Sequence, residues 1–103
     1  MTERYCEGER FADLSFTEEA FEDCDFTDCV FVDCSFTKCE MQWANFKGVE
    51  LHKTEFYQCD LRKADFRDAT GYKVDILGSR LKDAKFSLPE AVNLLADLKI
   101  KLS

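Results

Sequence analysis

The stretch Phe21-Glu22-Asp23-Cys24-Asp25-Phe26-Thr27-Asp28-Cys29-Val30-Phe31-Val32-Asp33-Cys34-Ser35-Phe36 decides the fold of this 103-residue chain. A phenylalanine returns at every fifth residue, and a cysteine stands two residues before each of the last three. The same register runs outward from this stretch in both directions. All ten phenylalanines fall at positions 11, 16, 21, 26, 31, 36, 46, 56, 66 and 86, while Met41, Leu51, Leu61, Ile76 and Leu81 fill most of the gaps. Only Gly71 breaks the column. Self-similarity of this kind is read before any local propensity.

A helix brings its apolar face round every 3.6 residues and a strand every two. A period of five fits neither, so the chain must turn regularly to return each fifth side chain to the interior. A second register supports this. Two residues before each large apolar residue stand Cys24, Cys29, Cys34, Cys39, Ala44, Val49, Thr54, Cys59, Ala64, Ala69, Val74, Ser79 and Ala84. These are small residues, suited to an interior position too narrow for a ring. The other three registers are dominated by Asp, Glu, Lys, Arg, Ser and Thr. One large and one small inward residue in every five describes a narrow solenoid.

The units Ala64-Asp65-Phe66-Arg67-Asp68 and Cys24-Asp25-Phe26-Thr27-Asp28 resemble the pentapeptide-repeat family, whose pattern is a small residue, Asp or Asn, Leu or Phe, then polar residues. The resemblance covers about residues 9 to 88. It implies an all-β solenoid, a right-handed quadrilateral β-helix of about four coils with one pentapeptide per face. Coils stacked at the strand spacing of about 4.8 Å would make it roughly 19 Å tall. Three segments are expected: an N-terminal lid at 1–8, which includes Cys6, the β-helix at 9–88, and a capping and dimerisation segment at 89–103. No stretch is apolar enough to span a membrane and the N-terminus begins no signal peptide, which points to a cytoplasmic protein.

Residues 87–103 carry their own signals. Ser87-Leu88-Pro89-Glu90 offers a capping-box Ser, a Pro at the first helical position and a Glu three residues after the Ser. Leu88, Ala91, Val92, Leu95 and Leu98 follow at helical spacing, which predicts a short amphipathic α-helix over 89–98. Lys99-Ile100-Lys101-Leu102 then alternates as a terminal strand does. A repeat solenoid followed by such a tail is similar to the quinolone-resistance pentapeptide proteins. That resemblance implies an acidic rod that imitates duplex DNA, binds DNA gyrase or topoisomerase IV, and dimerises end to end through its C-terminus. Val92, Leu95, Leu98, Ile100 and Leu102 would be the dimer contacts; the alternative is a helix that only caps its own coil.

Charge is unevenly distributed. Residues 1–40 hold 12 acidic and 3 basic residues, whereas residues 41–103 hold 9 acidic and 11 basic, within a net charge of −7. If any side chains imitate phosphates, Glu22, Asp23, Asp25, Asp28 and Asp33 are the candidates; an ordinary solvated surface is the alternative. Apolar residues expected to face outward form the other candidate partner surface: Val30, Val32, Trp43 and Tyr72. Trp43 reads either as an interface anchor or as a ring lying flat over its neighbours. At Gly71 the lost side chain leaves a void or a rearranged turn, which Tyr72 could swing in to fill.

Catalysis, cofactors and metals find little in this pattern. The single histidine, His52, falls on an outward face with no nucleophile fixed beside it, and no phosphate loop is present. The cysteine spacing is that of an inward register rather than of zinc ligands. Cys39 and Cys59 share a column in adjacent coils, within disulfide range under oxidation. The function expected is therefore non-enzymatic. The chain would bind a protein partner, without binding nucleic acid directly, as a topoisomerase-directed DNA mimic or as a scaffold whose outer faces recognise an unrelated protein.

Overall fold

A computed structural model describes residues 9–88, 90–92 and 94. They form a β-solenoid in which residues stack on those twenty positions later, except along β7. Eight short strands carry this winding: β1 (Arg10–Ala12), β2 (Ser15–Thr17), β3 (Val30–Val32), β4 (Ser35–Thr37), β5 (Glu50–Tyr57), β6 (Asp65–Phe66), β7 (Thr70–Val74) and β8 (Lys85–Phe86). All pairings are parallel. Phe11 registers with Phe31 and then Leu51, Phe16 with Phe36 and then Phe56, and Phe66 with Phe86. Isolated bridges such as Glu40 to Asp60 and Asn45 to Asp65 continue the same step between strands. A step of twenty is four pentapeptides per coil, so residues 9–88 complete about four coils.

The turn that makes a period of five possible lies two residues after each large inward residue. Asp13, Glu18, Asp23, Asp28, Asp33, Lys38, Trp43, Lys53, Gln58, Lys63, Asp68 and Asp83 all have positive φ, as does Gly48 in the same register. Non-glycine residues rarely enter this region, Asp and Asn excepted, so a corner at nearly every pentapeptide is a systematic backbone cost. On two faces the corner closes as a tight turn. Cys24 N–H donates to the Phe21 carbonyl at 3.2 Å, Ala44 N–H to Met41 at 3.1 Å and Ala64 N–H to Leu61 at 3.0 Å. A positive φ at the third residue of such a turn marks type II. On the two strand faces the small inward residue is instead often a donor. Cys34 Sγ reaches the Phe11 carbonyl at 3.5 Å, Cys59 Sγ the Phe36 carbonyl at 3.2 Å, and Thr54 Oγ1 the His52 carbonyl at 3.2 Å. Polar small residues therefore have a place in this core.

The large register fills the axis with rings. Phe26, Phe46, Phe66 and Phe86 stack along one column at centroid spacings of 4.7, 5.0 and 5.1 Å, matching the rise between coils. Between columns the rings meet edge to face, as Phe46 and Phe56 do at 5.4 Å and 78°. Cys24, Cys29, Cys34, Cys39 and Cys59 are buried among them. Cys39 and Cys59 stack in one column. Their mutual hydrogen bond draws Cys39 down to about 7 and, with burial, pushes Cys59 up, so Cys59 stays a thiol.

Gly71 marks a slip in the winding. Glu50 pairs with Thr70, but Thr54 pairs with Tyr72 and Phe56 with Val74, so β7 reaches its place two residues early. The positive-φ corner moves with it, to Gly71 at 77°. Two surplus residues are absorbed in the turn after Asp75, where Gly78 N–H donates to Asp75 Oδ1 at 3.2 Å, and the step of twenty returns at Asp60 and Arg80. Tyr72 is consequently not an outward residue. It is 3% exposed, with its ring 5.6 Å from Phe66 and 5.8 Å from Phe86. Val74, expected at the small position, occupies the large column over Phe56.

The Tyr72 hydroxyl is buried and has no hydrogen-bond partner among the described residues. Burial, with a smaller contribution from Glu90, pushes its pKa up to about 12. An unpaired buried hydroxyl costs about 1–3 kcal/mol. Tyr72→Phe is therefore expected to raise stability by about 1 kcal/mol in urea unfolding; a loss of stability would show that the hydroxyl is paired.

The α-helix expected over 89–98 is not supported. Residues 90–92 and 94 lie in a 3₁₀ turn, and the rest of that span lies outside the described residues, as do the lid at 1–8 and the strand at 99–103. Ser87 and Glu90, read as a capping box, put their oxygens elsewhere. Ser87 Oγ accepts Asp68 N–H at 2.7 Å and Glu90 Oε2 accepts Gly71 N–H at 3.0 Å, so both side chains tie the tail to the preceding backbone. Among the described residues no helix is long and apolar enough to cross a membrane.

Candidate partner-binding surfaces

The outward residues divide into corners and face centres, and this division explains much of the acidity. Asp23, Asp28 and Asp33 are corner residues, where Asp tolerates the positive φ. Asp25 closes an Asx turn: its Oδ1 accepts Thr27 N–H at 3.0 Å and also the Thr27 hydroxyl. Asn45 repeats the device on Lys47 N–H at 3.0 Å and also donates to Asp25 Oδ1 at 3.4 Å. Asp65 does the same for Arg67 N–H at 3.0 Å. Of the five acidic candidates, only Glu22 has neither duty among the described residues.

The charge differs from coil to coil. Residues 9–28 carry eight acidic side chains against Arg10, whereas residues 69–88 carry Asp75 and Asp83 against Lys73, Arg80, Lys82 and Lys85. The acidity is thus a property of the first coil. In the third coil, carboxylates are held by arginines. Arg62 grips Asp60 with Nε at 2.8 Å and Nη2 at 2.6 Å, and Gln42 Nε2 donates to the same carboxylate at 3.0 Å. Arg67 grips Asp65 in the same way, with Nη2 at 2.8 Å. Sequence reasoning missed both pairs, although the spacing of two residues astride one inward residue was visible.

The Arg62 guanidinium, by hydrogen bond and charge, holds Asp60 below its ordinary value despite the opposing effect of burial. A depressed folded-state pKa adds stability that is present above the unfolded-state value of about 3.9 and is lost as pH falls through the lower folded value. Acid unfolding of the native chain should therefore show this loss below about pH 4. Asp60→Asn is expected to lower stability at pH 7 and to flatten the acid limb. An unchanged acid limb would remove Asp60 from that role.

The apolar candidates do not form one patch. Val30 and Val32 lie half-buried on β3, between Arg10 and Ala12 on one side and Glu50 and His52 on the other. His52 Nε2 is 3.0 Å from Glu50 Oε1 on that face. Trp43 stands on a different corner, 59% exposed, and Tyr72 is inside. Lys63 Nζ lies 4.9 Å from the Trp43 ring centroid, and a cleft of about 440 Å³ opens beside it, lined by Trp43, Asn45, Lys63, Asp65, Asp83 and Lys85. Near the C-terminal end Leu77, Leu88 and Val92 are exposed. The other dimer candidates, Leu95, Leu98, Ile100 and Leu102, lie outside the described residues.

A parallel solenoid with a twenty-residue step, type II corners and an outward surface that is wholly polar or charged apart from a few apolar side chains is a repeat protein of the five-residue class. The profile of the pentapeptide repeat region matches residues 19–94, and the chain belongs to the pentapeptide-repeat family. A pentapeptide repeat protein from the Arabidopsis thaliana thylakoid lumen has a similar structure, with a TM-score of 0.70 and 23% identity over 80% of this chain and 59% of that one. This chain thus spans about three-fifths of that protein. A trypsin-treated form of QnrB1, a plasmid-mediated fluoroquinolone resistance protein, matches with a TM-score of 0.47 and 19% identity over 81% of this chain and 57% of that one. No curated protein matches the sequence.

Proposed function

We propose that the chain is a non-enzymatic protein-interaction module that docks through its first coil. The observation that carries this reading is the concentration of carboxylates there, on a scaffold that is close to neutral elsewhere. Regularly spaced carboxylates on a rigid β-helix suit a groove built to receive phosphates, because such a groove reads negative charge before sequence. The sharp form of the proposal is mimicry of duplex DNA toward a type II topoisomerase, DNA gyrase or topoisomerase IV. The purified chain is then expected to inhibit gyrase supercoiling or to protect gyrase from a quinolone, and a variant carrying Glu22→Gln, Asp23→Asn and Asp28→Asn should lose the effect. No effect at large molar excess would refute it. End-to-end pairing through Val92 and the tail would place two acidic coils at opposite tips.

The second reading is a scaffold whose outer faces hold an unrelated protein. The half-buried Val30 and Val32, flanked by Ala12, favour it, since this is the least polar strand face. Changing both valines to Asp would then abolish partner capture, while the charge-neutralised first coil would still bind.

A further inference from the structure

Trp43 breaks the local rule of the fold. Among the described residues the corners otherwise hold Asp, Glu, Lys, Gln or Gly, and only here does a bulky ring take a positive φ, of 65°. Such strain persists where something offsets it, yet the indole is 59% exposed and adds nothing to the ring stack inside. What surrounds it is charge. The corner column runs Asp23, Trp43, Lys63, Asp83, each one coil from the next. Its backbone is tied from coil to coil, with Asp23 N–H on the Gln42 carbonyl at 3.0 Å and Trp43 N–H on the Arg62 carbonyl at 3.1 Å.

Lys63 Nζ, 4.9 Å from the centroid, already uses the indole as a cation-binding surface. On the other side of Trp43 in the column comes Asp23, whose carboxylate has no donor among the described residues. A carboxylate gains nothing from the negative face of an indole. A cation placed between them gains from both. The geometry points to a slot for the guanidinium of a partner protein's arginine, with Trp43 as the platform and Asp23 as the counter-charge. Arginine suits it better than lysine, because a planar guanidinium stacks on the ring while its edge donates to the carboxylate. The acidity of the first coil would draw such a side chain in. This inference rests on the reading of the solenoid as an interaction module and names the chemistry of what it holds.

Trp43 is the sole tryptophan, so its fluorescence reports on the slot directly. The intact chain is titrated with a blocked tri-arginine peptide, with tri-lysine and tri-glutamate as comparisons. A saturable change with tri-arginine is expected, several-fold weaker with tri-lysine and absent with tri-glutamate. Asp23→Asn should weaken tri-arginine about tenfold, whereas Glu18→Gln, the same charge loss at another corner of the first coil, should not. Trp43→Leu, followed by calorimetry, should abolish binding. No response to tri-arginine, equal losses in Asp23→Asn and Glu18→Gln, or a preference for tri-glutamate would each overturn the slot. None of these outcomes bears on the gyrase assay, so the two readings fail separately.

Discussion

Phe46→Ala is expected to destabilise the chain by about 4 kcal/mol. Phe46 is 0% exposed and sits at the middle of the ring assembly. It stacks on Phe26 at 4.7 Å and Phe66 at 5.0 Å, meets Phe56 edge to face at 5.4 Å, and approaches Phe31 and Phe36 at 6.3 and 6.4 Å. Truncation removes the buried area and leaves a cavity that the backbone cannot close, because each coil is hydrogen-bonded to the next. In a solenoid, stability is held in the contacts between neighbouring repeats, so a hole at a middle coil weakens two interfaces at once. Phe11→Ala, at the half-buried first coil, is expected to cost about half as much. Urea unfolding followed by Trp43 fluorescence and far-ultraviolet circular dichroism measures both. Equal losses at the two sites would contradict the nearest-neighbour picture.

The second large effect is expected at Gly71. Its φ of 77° would strain any side chain, and a Cβ there would lie 3.0 Å from the Leu51 carbonyl oxygen and 3.2 Å from His52 Cα. Those are backbone atoms of β5, which cannot retreat without breaking the pairing with β7. Gly48 supplies the control. Its φ is 73°, but a Cβ there would meet nothing within 4 Å. Gly48→Ala is expected to cost about 1 kcal/mol, from conformation alone. Gly71→Ala is expected to cost about 3 kcal/mol, from conformation and collision together. Equal costs would mean that the close approach at Gly71 is relieved elsewhere.

The phenylalanine register made the winding legible because a ring that must face inward every fifth residue leaves few ways to fold. The small register told as much about the second inward position. What it hid was the difference between faces, since Cys34 and Ala44 look alike as small residues but one donates to a carbonyl and the other closes a turn. Gly71 was visible as a break, and Tyr72 as the residue to fill it. The two-residue slip was not visible, because the register is restored by Arg80 and the sequence on either side looks unbroken.

The tail misled for a different reason. Ser87 and Glu90 have the spacing of a helix cap, but their oxygens are taken by Asp68 and Gly71, partners that exist only once the coils are stacked. The partner surfaces were the least legible part. Asp23, Asp28 and Asp33 look like a charged face in the sequence, whereas the backbone requires a corner at each. Trp43 reads from the sequence as an outward residue at a turn with Lys63 next in its column, and the structure sets the Lys63 ammonium over the ring.

The slip at Gly71 also sets the direction in which this protein can lengthen. Upstream of Thr70, duplicating twenty residues is a pure translation along the axis: every column finds its own continuation, and the new coil inherits its neighbours' hydrogen bonds. Downstream, a copied twenty-residue block would keep the step but stack each irregularity on its own original. Each copy would have to place a second Tyr72 over a residue that is not Thr54 and a second turn over one that already bulges. Gene-level repeat expansion is therefore structurally silent through the first three coils and costly in the fourth, and natural variation in coil number should accumulate before residue 70.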